Sequence, residues 1–250
     1  LFSFILLVSF WYIFKPKVKF SNVKLHLLRS IFGWVGVSIL FTSILYIPVS
    51  DATALTFLNP IFAMIFAVLI FKEKVGLIRW GAALFSFSGG LLLLRPSLDL
   101  SVDPVALLCL FGALIMGLEI ICIKILSGKD SVFTILILNN FFAMCIGTLV
   151  VPFFFVLPGF LELSFLLTIG IFMLTGQFCF INSLKGAETS FLMPFFYTTL
   201  IFVISLDLII FNSLPDKISY MGAFIIIFGS IVVAFREWRV KSKLSVKKIL

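Results

Sequence analysis

Charge is scarce in this chain. Only 12% of its 250 residues are Asp, Glu, Lys or Arg, and histidine occurs once, at His26. Soluble domains carry about 25% charged residues. With 62% hydrophobic residues and a mean hydropathy of +1.27, too few polar side chains remain to cover a globular surface. Most of the chain must therefore face lipid. Strict apolar/polar alternation is also lacking. In hydrocarbon every backbone polar group must be satisfied internally, which leaves helices or a closed barrel. A barrel strand would show about 10 residues of alternating polarity, whereas the apolar runs here, such as 58–71 and 218–235, are continuous. Helices remain.

Other absences narrow the function. Cys109, Cys122, Cys145 and Cys179 lie inside apolar runs without metal-ligand spacing, so they read as small packing residues and no metal site is expected. No positively charged start, short apolar stretch and small-residue cleavage site open the chain. The first residue is Leu1 rather than Met, from which a missing N-terminal segment is expected. Clustered carboxylates for magnesium, or a paired nucleophile and base, would mark a membrane enzyme. The acids inside apolar spans, Glu119 and Asp207, stand on different helices, and His26 falls in a basic stretch where it reads as solvated. An enzyme is thus the weaker alternative, and no cofactor is implied. Repeated polar rings of the channel kind are not seen.

Spanning takes about 20 residues, and turn or charged residues punctuate the chain at nearly that interval. Helices are predicted at 1–14, 31–49, 52–71, 78–95, 104–124, 131–151, 163–183, 188–211 and 218–235, the first being the remnant of a truncated span. With the C-terminal tail placed in the cytoplasm, 17 of the 19 Lys and Arg fall on that side, Arg95 and Lys217 being the exceptions. Loop Lys/Arg bias sets orientation, so the net charge of +8 is a topology charge. Because the basic residues are spread over several loops, nucleic acid is not an expected partner. The partners expected are the lipid bilayer and a small-molecule substrate, and a homodimer stays open.

Two stretches resemble each other. One runs from Asp51 through Pro60 to Phe71-Lys72-Glu73, then Gly81 and Gly89; the other from Glu188 through Pro194 to Phe211-Asn212-Ser213, then Gly222 and Gly229. Sixteen residues separate Glu73 from Gly89, and sixteen separate Ser213 from Gly229. In the orientation above the two stretches start on opposite sides, which makes the repeat inverted. Five helices fall in 104–235 and four before it, so the intact protein is expected to hold five plus five, with nine visible here. Inverted repeats are the architecture of alternating access.

The residues carrying the second stretch, Thr175-Gly-Gln177 through Asn182, Lys185 and Glu188 to Met193-Pro194 and Tyr197, then Leu214-Pro215-Asp216 and Gly222 to Gly229, resemble the second EamA-type repeat of the drug/metabolite transporter superfamily. The first stretch carries that family's Pro60, Glu73, Gly81 and Gly89 pattern. The likeness covers 30–237 and is strongest to the branch containing S-adenosylmethionine uptake permeases. One departure stands out: Asn212-Ser213 occupy the place where the family usually has Gly-Glu. The resemblance implies an all-α membrane protein, a bundle of two inverted EamA repeats at 1–96 and 97–235 followed by a basic tail at 236–250. It implies a secondary carrier of a small organic metabolite in a bacterial inner membrane, with a cytoplasmic C-terminus and a site between the halves. An inactive fragment of such a carrier is the alternative.

Ionisable residues inside a span usually face a cavity or a partner. Glu119 is read as a cavity carboxylate that binds a substrate ammonium or sulfonium group or carries a proton. Gln177 lies at a similar depth and would share the wall. Of Asn139 and Asn140 at most one can line the path. Tyr197 and Asn182 complete the expected substrate contacts. Asp207 and Glu73, with the helix-bending Pro60 and Pro194, are assigned to coupling or gating, and Glu73 is also expected to form a local salt bridge with Lys72, Lys74 or Arg79. Ala82, Ser86 and Gly90 form a small-xxx-small stripe that predicts close helix packing.

Overall fold

The structure is a computed structural model. It describes residues 2–16, 18, 21–94, 104–154, 158–211 and 217–249, with the backbone alone at 150–154, 207, 210, 211 and 237–249. Lys17, Lys19, Arg95, Asn212 and Ser213, and the side chain of Asp207, lie outside the described residues.

Among the described residues every regular element is a helix. In chain order they are α1 (Phe2–Phe14), α2 (Val23–Ser43), α3 (Val49–Thr56), α4 (Asn59–Phe71), α5 (Leu77–Leu94), α6 (Pro104–Ser127), α7 (Val132–Phe154), α8 (Phe160–Gly186), α9 (Thr189–Phe196), α10 (Thr198–Phe211) and α11 (Lys217–Ile249). Eight spans among the described residues are long and apolar enough to cross a membrane, α3–α4 forming one and α9–α10 another, while α1 is shorter. The chain is a multi-pass helical membrane protein.

Three helix boundaries correct the sequence reading. First, α2 begins at Val23, not at 31, and takes Lys24, His26 and Arg29 into the helix. Asn22 caps it, its Oδ1 accepting the Leu25 amide at 3.2 Å. His26 is consequently not a solvated loop residue but is fully buried. Second, the span read as 52–71 is broken at Phe57-Leu58, so that Pro60 stands in the first turn of α4. There its missing N–H has no intrahelical acceptor to lose, and its ring excludes continuation from α3. Third, the span read as 188–211 is broken at Tyr197, three residues past Pro194, which stays inside α9. Both prolines were expected to bend one helix; each instead accompanies a division into two. The last helix also continues past 235, its backbone helical to Ile249.

The contacts divide the chain into two compact units. One comprises Leu1–Val35 and Leu118–Ala187, the other Gly36–Gly117 and Glu188–Leu250. Both repeat-like stretches, 51–89 and 188–229, fall in the second unit, and each unit draws residues from both 1–96 and 97–235, so sequence repeat and compact unit are different divisions. In the first unit α1 packs on α7 and α8, with Phe4 against Phe141 (ring centroids 5.9 Å apart) and the Ser3 hydroxyl donating to the Gly170 carbonyl at 3.3 Å.

In the second unit α5 and α11 pack most closely, because their facing residues are small. A Cβ on Gly89 would fall 2.8 Å from the Gly222 carbonyl oxygen, and a Cβ on Gly222 would fall 2.8 Å from that of Gly89. Gly229 meets Ser86 and Ala82 in the same way, and Gly90 receives Leu200. The stripe expected at Ala82, Ser86 and Gly90 is therefore a packing seam. Without a hydrophobic drive between helices in lipid, such close approach is the main source of association.

Gly222→Val is expected to destabilise the detergent-solubilised protein by about 1–3 kcal/mol, through overpacking. Gly81→Ala, where an added Cβ meets nothing within 4 Å, should shift stability by no more than about 1 kcal/mol, in the stabilising direction. Equal thermal-unfolding midpoints for the two variants would contradict the seam.

Candidate functional site

The polar groups of the first unit converge on one face of α2. His26, Arg29, Ser30 and Gly33 follow the i, i+3, i+4, i+7 pattern of one helix face, so they share a stripe. Each of the three side chains meets a different partner. His26 Nε2 lies 2.8 Å from Asp130 Oδ2, both side chains being buried. Asp130 also accepts the Ser21 amide at 2.9 Å and the Ser21 hydroxyl at 3.1 Å, tying the turn before α2 to the turn between α6 and α7. The Ser30 hydroxyl lies 3.0 Å from Asn139 Oδ1 on α7 and 3.0 Å from the His26 carbonyl of its own helix, and shares its proton between them. Arg29 faces Glu119 on α6, its Nε lying 3.6 Å from Glu119 Oε1.

Arg29 and Glu119 are well inside their helices. Arg29 is six residues beyond Val23 and Glu119 eight before Ser127, or about 9 Å and 12 Å at 1.5 Å per residue. A charge at such depth is held only with a partner. Arg29 is 2% exposed, whereas Glu119 keeps 20% of its side chain accessible. Gly33 makes room for the carboxylate: a Cβ there would fall 2.9 Å from the Glu119 carboxyl carbon.

The second unit holds another polar centre, at the start of α9. Glu73 was expected to pair with a neighbouring cation. Among the described residues its hydrogen bonds instead come from the backbone amides of Thr189 and Ser190, each at 3.0 Å. The first amides of a helix have no intrahelical acceptor and carry the positive end of its dipole, so a carboxylate satisfies both needs. Arg79, buried on α5, donates to Glu188, the residue before α9, and to the Ser190 hydroxyl at 2.8 Å. Acid and base from the loop and helix after α4 thus fix one end of α9.

At the other end of α9 the two helix breaks meet. The Tyr197 hydroxyl donates to the Phe57 carbonyl at 3.1 Å. Phe57 caps α3 and Tyr197 caps α9, so each break stands beside the other. Phe57, Phe87 and Phe196 surround this contact, with Tyr197 ring centroids 6.1 Å from Phe57 and 6.0 Å from Phe87.

The other expected contacts are placed as follows. Asn139 faces α2, whereas Asn140 turns back on its own helix, donating to the Leu136 carbonyl at 2.9 Å. Gln177 makes no hydrogen bond to Glu119; its Oε1 is buried without a donor among the described residues. Asn182 is exposed and donates to the Phe178 carbonyl of its own helix at 2.9 Å. Tyr197 is fully buried, with its hydroxyl engaged. Pro60 and Pro194 are buried at the breaks. Asp207 belongs to α10, its side chain lying outside the described residues. The functional reading of the sequence missed His26, Arg29, Asp130 and Arg79. The signal available was the period of His26, Arg29, Ser30 and Gly33, which is that of one helix face. No group of three or more His, Cys, Asp or Glu able to hold a metal occurs among the described residues.

Glu73→Ala should destabilise the protein by about 1–2 kcal/mol through loss of the α9 cap, whereas Lys72→Ala and Lys74→Ala should stay within about 0.5 kcal/mol. Thermal unfolding in detergent checks this, and a lysine variant matching the Glu73 variant would restore the local salt bridge.

An S-adenosylmethionine uptake transporter of Rickettsia prowazekii is 27% identical over 238 residues, covering 94% of this chain and 80% of that protein. A riboflavin transporter of Rhizobium johnstonii is 26% identical, with 87% and 72% covered. A pseudopaline exporter of Pseudomonas aeruginosa is 24% identical, with 86% and 76% covered. A solved crystal structure superposes with a TM-score of 0.82 at 15% identity over 96% of this chain and 85% of the other, a likeness of fold. The pattern of the EamA-like transporter family matches residues 1–95 and again 104–235. With a broken span in each match, a small-residue seam and charges held inside spans, the chain belongs to the EamA-like transporter family, and it is a transporter of small metabolites rather than an enzyme.

Proposed function

We propose that the protein is a secondary carrier that moves an amino-acid-like or nucleoside-like metabolite, S-adenosylmethionine being the best single candidate, across a bacterial inner membrane. The repeats at 1–96 and 97–235 would rock to give alternating access, and the tail at 236–250 would lie in the cytoplasm. The S-adenosylmethionine candidate is supported by the uptake transporters at 25–27% identity over nearly all of this chain. The riboflavin and pseudopaline carriers are almost as similar and cover less of it.

The observation that carries the reading is Glu119. A carboxylate in a spanning helix costs too much to be incidental, and this one keeps part of its side chain accessible while Gly33 leaves it space. It is suited to an ammonium or sulfonium group. The broken spans supply the other requirement of a carrier. Discontinuous helices are where transporters expose backbone dipoles and move, and Pro60 and Pro194 accompany the two breaks. Asn139 would extend the polar wall from α7, and Gln177, with an unused buried oxygen, is a further contact. Glu73 acts at the gate through α9, whose first amides it holds.

Cells expressing the chain should accumulate labelled S-adenosylmethionine, and unlabelled compound should compete. Glu119→Gln should lower that uptake by at least about tenfold, the loss of one charge-assisted contact, with membrane insertion unchanged. Undiminished uptake by the variant would remove Glu119 from the site. Riboflavin uptake in place of S-adenosylmethionine would move the substrate to the other group of relatives.

A further inference from the structure

Arg29 is 2% exposed and is among the largest fully buried side chains of the described residues. Its Nε and Nη1 are buried, and neither has a hydrogen-bond acceptor among the described residues. The Glu119 carboxylate compensates the charge, but at 3.6 Å from Nε it is beyond hydrogen-bond distance. The nearby polar side chains are directed elsewhere: Asn139 Oδ1 lies against Ser30, and Asp130 accepts from Ser21 and faces His26. A buried guanidinium with two unused donors thus stands beside a carboxylate that keeps 20% of its side chain accessible.

We propose that Arg29 is a substrate-binding residue that takes a carboxylate, so that Arg29 and Glu119 together clamp a zwitterion. The inference rests on the reading of Glu119 as a substrate contact and names the class of ligand that the same site takes.

Charge balance favours a zwitterion over the other classes. The pair alone is neutral. A ligand carrying only a cation would draw Glu119 away from Arg29 and leave a buried guanidinium uncompensated, which is strongly unfavourable. A ligand carrying only an anion would leave the carboxylate in the same position. An uncharged ligand leaves charge-assisted donors unused. A ligand bearing both charges a few bonds apart, as an α-amino acid or the amino-acid end of S-adenosylmethionine does, gives each charge of the site a direct partner. Its carboxylate also supplies an acceptor to the Nη1 group, which has none among the described residues. Arginine suits this task better than lysine, because its planar donors match a carboxylate. Gly33 is a positioning residue here, since any side chain at that place would press on the Glu119 carboxylate.

The test compares two compounds that differ in one group. S-adenosylmethionine and its decarboxylated form share the sulfonium and the amine, and only the first has the carboxylate. Binding to the purified full chain is read by thermal stabilisation and by competition. The wild type should bind S-adenosylmethionine at least about tenfold more tightly than the decarboxylated compound, the discrimination of a site whose buried donors go unpaired. Arg29→Gln should bring the two within about twofold of each other, and Arg29→Lys should restore part of the ratio. A merely structural arginine would weaken both compounds equally and leave the ratio unchanged, which overturns the proposal. So does equal binding of the two by the wild type. If neither compound binds, S-adenosylmethionine falls as the substrate, and α-amino acids are compared on the wild type with their decarboxylated amines. Preference for the acids then upholds the clamp, and binding of the amines alone or of neither series overturns it.

Discussion

In hydrocarbon a backbone group or a charge without a partner costs several kcal/mol, and this requirement orders the whole structure. It removes strands and loops from the membrane interior and makes every span a helix. It then governs each place where a helix is interrupted. The first amides of α9 go to Glu73, and the free carbonyl of Phe57 receives the Tyr197 hydroxyl. The carbonyls of Leu184 and Ala187, at the end of α8, receive Lys124 Nζ at 2.6 and 2.5 Å. Each is a side chain from elsewhere in the chain completing the backbone at a helix end. Interruptions are tolerated because a neighbour repairs them.

The same requirement separates the polar residues into two kinds. Glu73, Lys124, Arg79 and Asp130 are consumed by the fold, since their hydrogen bonds end on backbone groups or on other fixed side chains. Arg29 and Glu119 are not consumed. They balance each other in charge but leave donors and surface unused. In a transporter of small metabolites, a polar pair left incomplete by the fold is where a ligand can complete it. The breaks in α3–α4 and α9–α10 contribute differently. Their contact through Tyr197 and Phe57 lies in an aromatic cluster with few polar atoms, which suits a point about which helices move better than a point at which a charged ligand sits.

The errors of the sequence reading share a cause. Residues 15–29 were read as a basic loop because Lys and Arg recur there, and positive charge near a span normally marks its flank. That pattern hid the helical period of His26, Arg29, Ser30 and Gly33, and it hid Asn22 as a cap. For Glu73, cations adjacent in sequence looked like its partners, whereas its true partners are amides more than a hundred residues away. The prolines were read as bends because a periodic apolar run gives no sign of a break in hydrogen bonding. Only the local geometry at Phe57 and Tyr197 does.

By itself the sequence determined that the chain is helical, crosses a membrane many times and repeats itself, because those follow from hydropathy, run length and spacing, which are local or nearly so. It also determined that Glu119 is unusual, since a lone carboxylate in an apolar span needs no structure to be noticed. Only the tertiary structure decided which polar groups are spent and which are free. Arg29 meets Glu119 across 90 positions of sequence, and His26 meets Asp130 across 104. Such pairings depend on which helix faces pack together, and in lipid that choice is made by small residues and close backbone approach rather than by any hydrophobic pattern written along the chain.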